Sequence, residues 1–369
     1  MNHTTDHESL DVLVIGAGQA GLAIGYHLAQ RRLNFLIIDA GPEIGHVWRT
    51  RWDSLRLFTP AEHDALPGTP FPAAPGTHPT KDDVADYLSS YARQHHLPVR
   101  LNTAVSRLQR SSDGFAADTT TGTVHAKQVV VATGPFQRPH TPSVAGELAA
   151  EAVQLHSAQY RNPAQLPPDA HVLVVGGANS GLQIAAELAA THRVTVAVGS
   201  SPPQLPQRFL GRDLFWWFDK FGLLTKPSTS RLARRLRSRG DLVIGTRTRT
   251  LRRRGVEFRP RLTGFTHRTA QFEDGRTGPV DAVIWATGYR SDYRWLDIPD
   301  VVVDGQVRHD GGATRVPGLY FLGLPWLTSR GSALLGFVAP DAAKIAAQLA
   351  VPPGNRSRRP SDSVTAPAR

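Results

Sequence analysis

Three glycines at fixed spacing carry the clearest chemical meaning, in the run Gly16-Ala17-Gly18-Gln19-Ala20-Gly21. Gly16 permits a tight turn, Gly18 lets a pyrophosphate approach the backbone, and Gly21 lets a helix pack closely on a strand. The helix that opens there offers unpaired N–H groups and the positive end of its dipole to a phosphate. Asp39 ends the next apolar run, at the spacing of a carboxylate that binds ribose hydroxyls. Strand, turn, helix and acid fall in the order that dinucleotide binding needs.

A second turn, Gly176-Gly177-Ala178-Asn179-Ser180-Gly181, repeats the pattern with Ala178 in the middle position. A methyl group there crowds a pyrophosphate or forces a small shift. No carboxylate ends the following run, which reads Val198-Gly199-Ser200-Ser201. A missing acid removes repulsion against a 2′-phosphate, and Ser200, Ser201 and Arg208 are candidates to bind one. This favours NADPH over NADH; the alternative is a degenerate domain that binds nothing.

The elements that must position these residues form two similar units, Asp11 to Ala40 and His171 to Ser200. Each reads as a β-rich strand, a glycine turn, an amphipathic helix and a second strand, the βαβ pattern. Two such units predict two nucleotide-binding domains. Between them lie a Pro/Gly-rich stretch, Pro60 to Pro79, a helix over Lys81 to His95, and a β-rich region over Val99 to Ala132. Thr80 and Asp83 form a capping-box start for that helix. Phe215, Trp216, Trp217, Phe218 and Phe221 cluster after the second unit, as a substrate wall or as ordinary packing, with packing preferred. A further strand-like run spans Ala282 to Tyr289, and a last helix lies near Asp341 to Leu349. The tail from about Pro352, rich in Pro, Ser and Arg, reads as disordered.

Composition narrows the chemistry. With 40% hydrophobic and 20% charged residues the chain is that of a globular protein, and 369 residues suit about two domains. It has no cysteine, so its own residues supply no disulfide, thiolate metal site, iron–sulfur ligand or thiol nucleophile. The fifteen His residues show no metal spacing, and His95-His96 reads as a solvated pair at a helix end. No stretch approaches the roughly 18 apolar residues of a membrane span. The N-terminus lacks a signal pattern, so a cytoplasmic protein with no membrane partner is expected. The net charge is +11, and 37 of the 42 basic residues are Arg, thickening from Arg231 to Arg268. No nucleic-acid recognition motif accompanies them, so a solvated basic face is preferred to nucleic-acid binding.

The chain resembles the flavin-containing monooxygenase-like flavoproteins, which include plant indole-pyruvate monooxygenases and Baeyer–Villiger relatives. It is most similar to their compact bacterial branch linked to cation transport or metal resistance. The resemblance runs over roughly residues 10 to 350. It rests on GAGQAG, GHVWRTRWDSLRLFTP (Gly45 to Pro60), LPGTPFP, VVVATG (Val129 to Gly134), LHSAQYRNPAQL, GGANSG, WATGY (Trp285 to Tyr289) and GLYFLGLPWLTSRGSALLGF.

That likeness implies an α/β fold of two dinucleotide-binding Rossmann-like domains, an FAD domain with an NADPH domain inserted. The expected division is 1–165 and 286–351 for FAD, 166–285 for NADPH, and a tail over 352–369. It implies FAD on Gly16, Gly18, Gln19, Ala20, Gly21 and Asp39, and NADPH on Gly176, Asn179, Ser180, Gly181, Ser200 and Arg208. Trp48 and Arg49 would lie beside the FAD, Val105 near the adenine, and Gly323 near the isoalloxazine. Thr133-Gly134 and Thr287-Gly288 would be the crossings between the domains. The flavin itself would do the chemistry, with Trp48, Arg49 and Thr59 as nearby candidates. The implied reaction uses NADPH and O2, through a flavin C4a-peroxide, to put one oxygen atom into a small organic or metalloid substrate. A flavin oxidoreductase or oxidase of the same fold, without oxygen insertion, is the second reading; a flavin-bound regulatory or nucleic-acid-binding protein is a third. A homodimer stays open.

Two motifs depart from the family. The F-x-G-x-x-x-H fingerprint keeps His156, Ser157 and Tyr160 without its Phe-x-Gly part. The run Ser54 to Thr59 lacks the Asn that follows Ser-x-x-Thr in the animal-type enzymes.

Overall fold

The computed structural model describes residues 10–200, 202–237 and 242–349. The strand Leu10–Ile15 pairs in parallel with Phe35–Ile38 on one side and with Gly122–Val131 on the other. Val99–Arg100 extends the first sheet in parallel at one edge, and Leu319–Phe321 adds beside Val129–Val131. The antiparallel strands Val105–Ser111 and Gly114–Thr119 continue it from Gly122–Val131. The central strands are buried on both faces, which is why they read as unbroken Val/Ile/Leu runs.

A second sheet has the order 257–259, 193–197, 171–175, 282–285, 153–156, all parallel. Each sheet thus holds one glycine turn, and the fold is α/β with two dinucleotide-binding units. Val153–His156 hydrogen bonds within the second sheet, so that sheet takes in residues that the expected division at 165 assigns to the first. The reason is topological: both Thr-Gly crossings lie outside it, at 133–134 and 287–288. The expected tail over 352–369 and the candidate Ser201 lie outside the described residues.

The helices are α1 (Gln19–Gln30), α2 (His46–Arg49), α3 (Lys81–Gln94), α4 (Asn179–Leu188), α5 (Leu214–Lys220), α6 (Arg231–Arg237), α7 (Thr248–Arg253) and α8 (Ala339–Leu349). α3 starts with the expected capping box, Thr80 and Asp83 each bonding the other's backbone N–H. His95 at its C-terminal cap is not a solvated side chain. Its ring packs on Tyr26 and Tyr91, and Nε2 lies 2.7 Å from the Thr69 hydroxyl. No helix among the described residues is long and apolar enough to cross a membrane.

The two glycine turns are built alike, bond for bond. Gly16 N–H donates to Ile38 and Gly176 N–H to Ala197, each at the end of the following strand. The returning strands also match: Ala132 N–H donates to Ile15, and Ala286 N–H to Val175. A Cβ on Gly16 would sit 2.6 Å from the Ala132 carbonyl oxygen, and one on Gly176 would overlap the Ala286 carbonyl. On the helix side, a Cβ on Gly21 would overlap the Gly16 carbonyl, and one on Gly181 that of Gly176.

These contacts set an expected outcome. Gly21→Ala forces a methyl into the Gly16 carbonyl and should cost about 1–3 kcal/mol. Gly146→Ala, at an exposed position with nothing within 4 Å of the added carbon, should stay within about 0.5 kcal/mol of wild type. Chemical unfolding of both variants checks this; equal stability would mean that the helix does not rest on the turn as described.

Candidate functional site

The first site forms where α1 begins. Its N-cap, Gly18, is extended (φ −76°, ψ −173°) and supplies no side-chain cap, so the first N–H groups of α1 point outward without a cap. Gly16 and Gly21 are hemmed in by backbone, yet a Cβ on Gly18 would meet nothing within 4 Å. Open space at the middle glycine alone is the shape a pyrophosphate cradle requires, so the residues fit a dinucleotide. Gln19 and Ala20 open the helix, and a Cβ on Gly323, which has φ +77°, would lie 2.8 Å from that of Ala20. Gly323 therefore borders the same space.

Asp39 stands at the end of its strand, and its two carboxylate oxygens accept from the N–H groups of Ala17 and Gly41, each at 2.7 Å. These bonds fix the acid beside the turn. Thr103 N–H donates to the Asp39 carbonyl, and Val105 opens its strand two residues beyond that bond.

Trp48 is half-buried and packs against the cores of both domains. The Arg49 guanidinium turns onto α3, 3.2 Å from Asp82 and 2.7 Å from Asp86. Thr59 is buried and donates to Asp64 at 2.6 Å. Asp64 has no exposed surface and its second oxygen has no partner. Burial pushes its carboxyl up to about 7, against the Thr59 hydrogen bond, which pulls the other way. Sequence patterns do not reveal Asp64, because nothing in EHDAL distinguishes a buried acid from an exposed one.

The second site repeats the first at α4. Ala178 occupies the N-cap in the same extended conformation (φ −90°, ψ −176°), again with no side-chain cap. Ser180 lies in the first turn of α4. Asn179 is occupied: its amide donates to the Leu242 carbonyl and accepts from Ile244 N–H, so its side chain holds the strand Val243–Ile244 in place. Arg208 sits on the exposed hairpin formed by 208–209 and 212–213, where its guanidinium donates to the Gly211 carbonyl. A different arginine reaches the end of the strand before Ser200. Arg261 donates to the Gly199 carbonyl at 3.3 Å. The strand just before it pairs with that of the second βαβ unit (Ala197 opposite Arg259), a long-range contact that no local motif encodes.

The two crossings lock onto each other. Arg138–Pro139 and Tyr289–Arg290 pair antiparallel just past Thr133-Gly134 and Thr287-Gly288. Thr287 hydroxyl donates to the His140 carbonyl, and His140 N–H donates back to Gly288. Gln137 amide donates to the Thr133 hydroxyl and the Gly134 carbonyl. His156 Nδ1 accepts from Ala158 N–H, so Nε2 carries the proton and donates to the Gly288 carbonyl at 3.0 Å. Burial lowers the His156 pKa and keeps the ring neutral. Arg51 donates to the Tyr289 hydroxyl and lies over the Tyr289 and Phe136 rings.

A family model described as pyridine nucleotide-disulphide oxidoreductase matches residues 13–207. An uncharacterized CzcO-like oxidoreductase of Geobacillus kaustophilus is 45% identical over 335 residues, covering 90% of this chain and 96% of its own. A probable indole-3-pyruvate monooxygenase of Arabidopsis thaliana is 30% identical, over 91% of this chain and 89% of its own. A solved flavin-containing monooxygenase from Stenotrophomonas maltophilia matches with a TM-score of 0.78 at 32% identity, covering 92% of this chain and 98% of that one.

The Asp64 environment gives a pH-dependent outcome. A carboxyl raised from 3.8 to about 7 on folding holds its proton more tightly in the folded chain. Its stabilising contribution is full at low pH and is lost as the pH rises through 7. Asp64→Asn should therefore gain on wild type between about pH 5 and 8, by up to roughly 3 kcal/mol. Urea unfolding across that range measures the difference; a gap that does not change with pH would place the Asp64 charge elsewhere.

Proposed function

The chain belongs to the pyridine nucleotide-disulphide oxidoreductase family and is a flavin monooxygenase-like, FAD-dependent oxidoreductase, and we propose that NADPH reduces it and that it inserts one oxygen atom of O2 into a small organic or metalloid substrate. The observation that carries this reading is likeness along nearly the whole chain to flavin monooxygenases at 30% and 32% identity. The absence of cysteine argues against transfer of electrons to a disulfide through thiols of these residues.

In this reading the uncapped N–H groups of α1 and the open face of Gly18 bind the FAD pyrophosphate, and Asp39 accepts from ribose hydroxyls. Gln19, Ala20 and Gly323 border the cofactor, Val105 lies toward the adenine, and Trp48 closes the space between the domains. Bound FAD supplies hydride acceptance and oxygen activation; the protein orients it and keeps water out. Gly176, Ser180 and Gly181 hold the NADPH pyrophosphate with the α4 N-terminus, and Asn179 keeps that loop in register. Ser200 and Arg261 take the 2′-phosphate, with Arg208 as the competing candidate. Thr59 and Asp64 form a buried hydroxyl–carboxyl pair whose proton is held near neutral pH.

Electron transfer without oxygen insertion remains the second reading, favoured by the lack of Asn in Ser54 to Thr59. Anaerobic NADPH should bleach the yellow protein. Readmission of isotopically labelled O2 with thioether, amine, ketone or metalloid substrates should then label a product. Complete recovery of the electrons as hydrogen peroxide with every substrate would favour the second reading.

Two substitutions test the sites themselves. Gly18→Val should fold, because the side chain enters open space, and should purify without yellow colour. A normal FAD content would sink the assignment. Arg261→Ala should weaken NADPH at least about tenfold, with little change in NADH, because it removes a charge-assisted hydrogen bond. If Arg208→Ala has that effect and Arg261→Ala does not, the phosphate lies on the hairpin.

A further inference from the structure

We propose that the outer face of α5 and the hairpin tip before it dock reversibly on an anionic phospholipid surface. The hairpin pairs Arg208 with Asp213 and Phe209 with Arg212, leaving Leu210 and Gly211 at its tip. Leu210 holds a left-handed backbone (φ +48°) and is 74% exposed; Phe209 is 52% exposed. Two large apolar side chains at the end of a tight turn protrude from the surface and form no groove.

The tip is fixed to α5. Trp217 indole N–H donates to the Phe209 carbonyl at 2.9 Å, and the Phe209 and Trp217 rings meet edge to face. Trp217 stacks on Phe221, which is 57% exposed, and touches Trp216. The result is one continuous aromatic ridge, larger than the scattered exposed apolar residues a surface normally carries.

Its rim is cationic on balance, with Asp219 the single carboxylate within α5. The Arg212 guanidinium lies 5.2 Å and the Lys220 ammonium 4.8 Å from the centre of the Trp216 ring. Among the described residues neither forms an ion pair with a carboxylate. Asp213 turns inward, to Gln207 and to Phe215 N–H. The same domain adds exposed arginines on α6 and α7. Trp and Phe flanked by Lys and Arg suit the headgroup layer, where rings enter the acyl boundary and cations stay at the phosphates.

Charge selects among occupants. A second copy related by a two-fold axis would bring this rim against itself, cation to cation. A bilayer bearing anionic headgroups neutralises the rim and accepts a convex tip. The expectation of no membrane partner rests on the lack of a spanning segment, and surface docking needs none. The inner face of α5 meets the candidate site, where Phe215 stacks on Phe58 and touches His63 and Phe337, beside Thr59 and Asp64. Docking would therefore set the wall of that site against the bilayer.

The test is flotation of the full, flavin-loaded chain with vesicles of phosphatidylcholine alone or mixed with phosphatidylglycerol. Wild type should float with the mixed vesicles, less at high salt, and not with phosphatidylcholine alone. Phe209→Ser combined with Leu210→Ser, and separately Arg212→Glu combined with Lys220→Glu, should each lower the partition coefficient about tenfold or more. Brominated acyl chains should quench wild-type tryptophan fluorescence, a reading that needs no variant. Failure of wild type to float, equal binding to both vesicles, or unchanged binding of either variant would overturn the proposal. So would sedimentation as a dimer that the Phe209/Leu210 variant splits, which would identify a second copy as the occupant.

Discussion

The structure depends on the absence of two side chains per domain. At Gly16 and Gly176 the returning strand's carbonyl lies where a Cβ would be, and at Gly21 and Gly181 the turn's own carbonyl does. Strand, turn and helix can meet this closely only without those atoms. The closeness aims α1 and α4 so that their uncapped N–H groups open onto the crevice past the strand ends, where α/β sheets bind ligands. Gly18 alone is free of neighbours in the first turn. Tightness on two sides and space on the third are one arrangement.

The same turns connect the two domains. Ala132 and Ala286 close the turns through their N–H groups, and each leads into a crossing. The crossings pair with each other, and Thr287, His156 and Arg51 add bonds from three parts of the chain. A rotation of one domain against the other must break this set together or carry it as a unit. The neutral His156 is suited to the place, because a ring held uncharged by burial does not repel the nearby Arg51.

Features carried by local spacing were legible in the sequence. Both βαβ units and the α3 capping box depend on residues within a few positions of one another, whereas the Thr-Gly crossings come only from the family resemblance. Features that depend on distant strands were not. Arg261 reaches Gly199 because 257–259 pairs with 193–197, and the chain around Asp64 is covered by the distant 3-10 turn Gly336–Val338, which packs on His63 to Ala65. Asn179 and Arg49 carried the right chemistry for ligands, yet tertiary partners occupy them. The aromatic cluster of α5 is both packing and surface, since Phe215 and Phe218 are buried and Trp216 and Phe221 are not. At 3.6 residues per turn Phe215 and Phe218, three apart, share the buried face, while Trp217 and Phe221, four apart, stack on another.

That division bears on how the site keeps dry. Flavin chemistry needs an enclosure that admits substrate and excludes water. Phe58, Phe215 and Phe337 form an apolar layer over the region of Thr59 and Asp64, where Asp64 is fully buried and its second oxygen has no partner, and that burial is what raises its carboxyl. An ionised carboxylate in such a layer would draw water in; a protonated one does not. The layer takes Phe215 from the second domain and Phe58 and Phe337 from the first, so it holds together only while the crossing strands keep both in place.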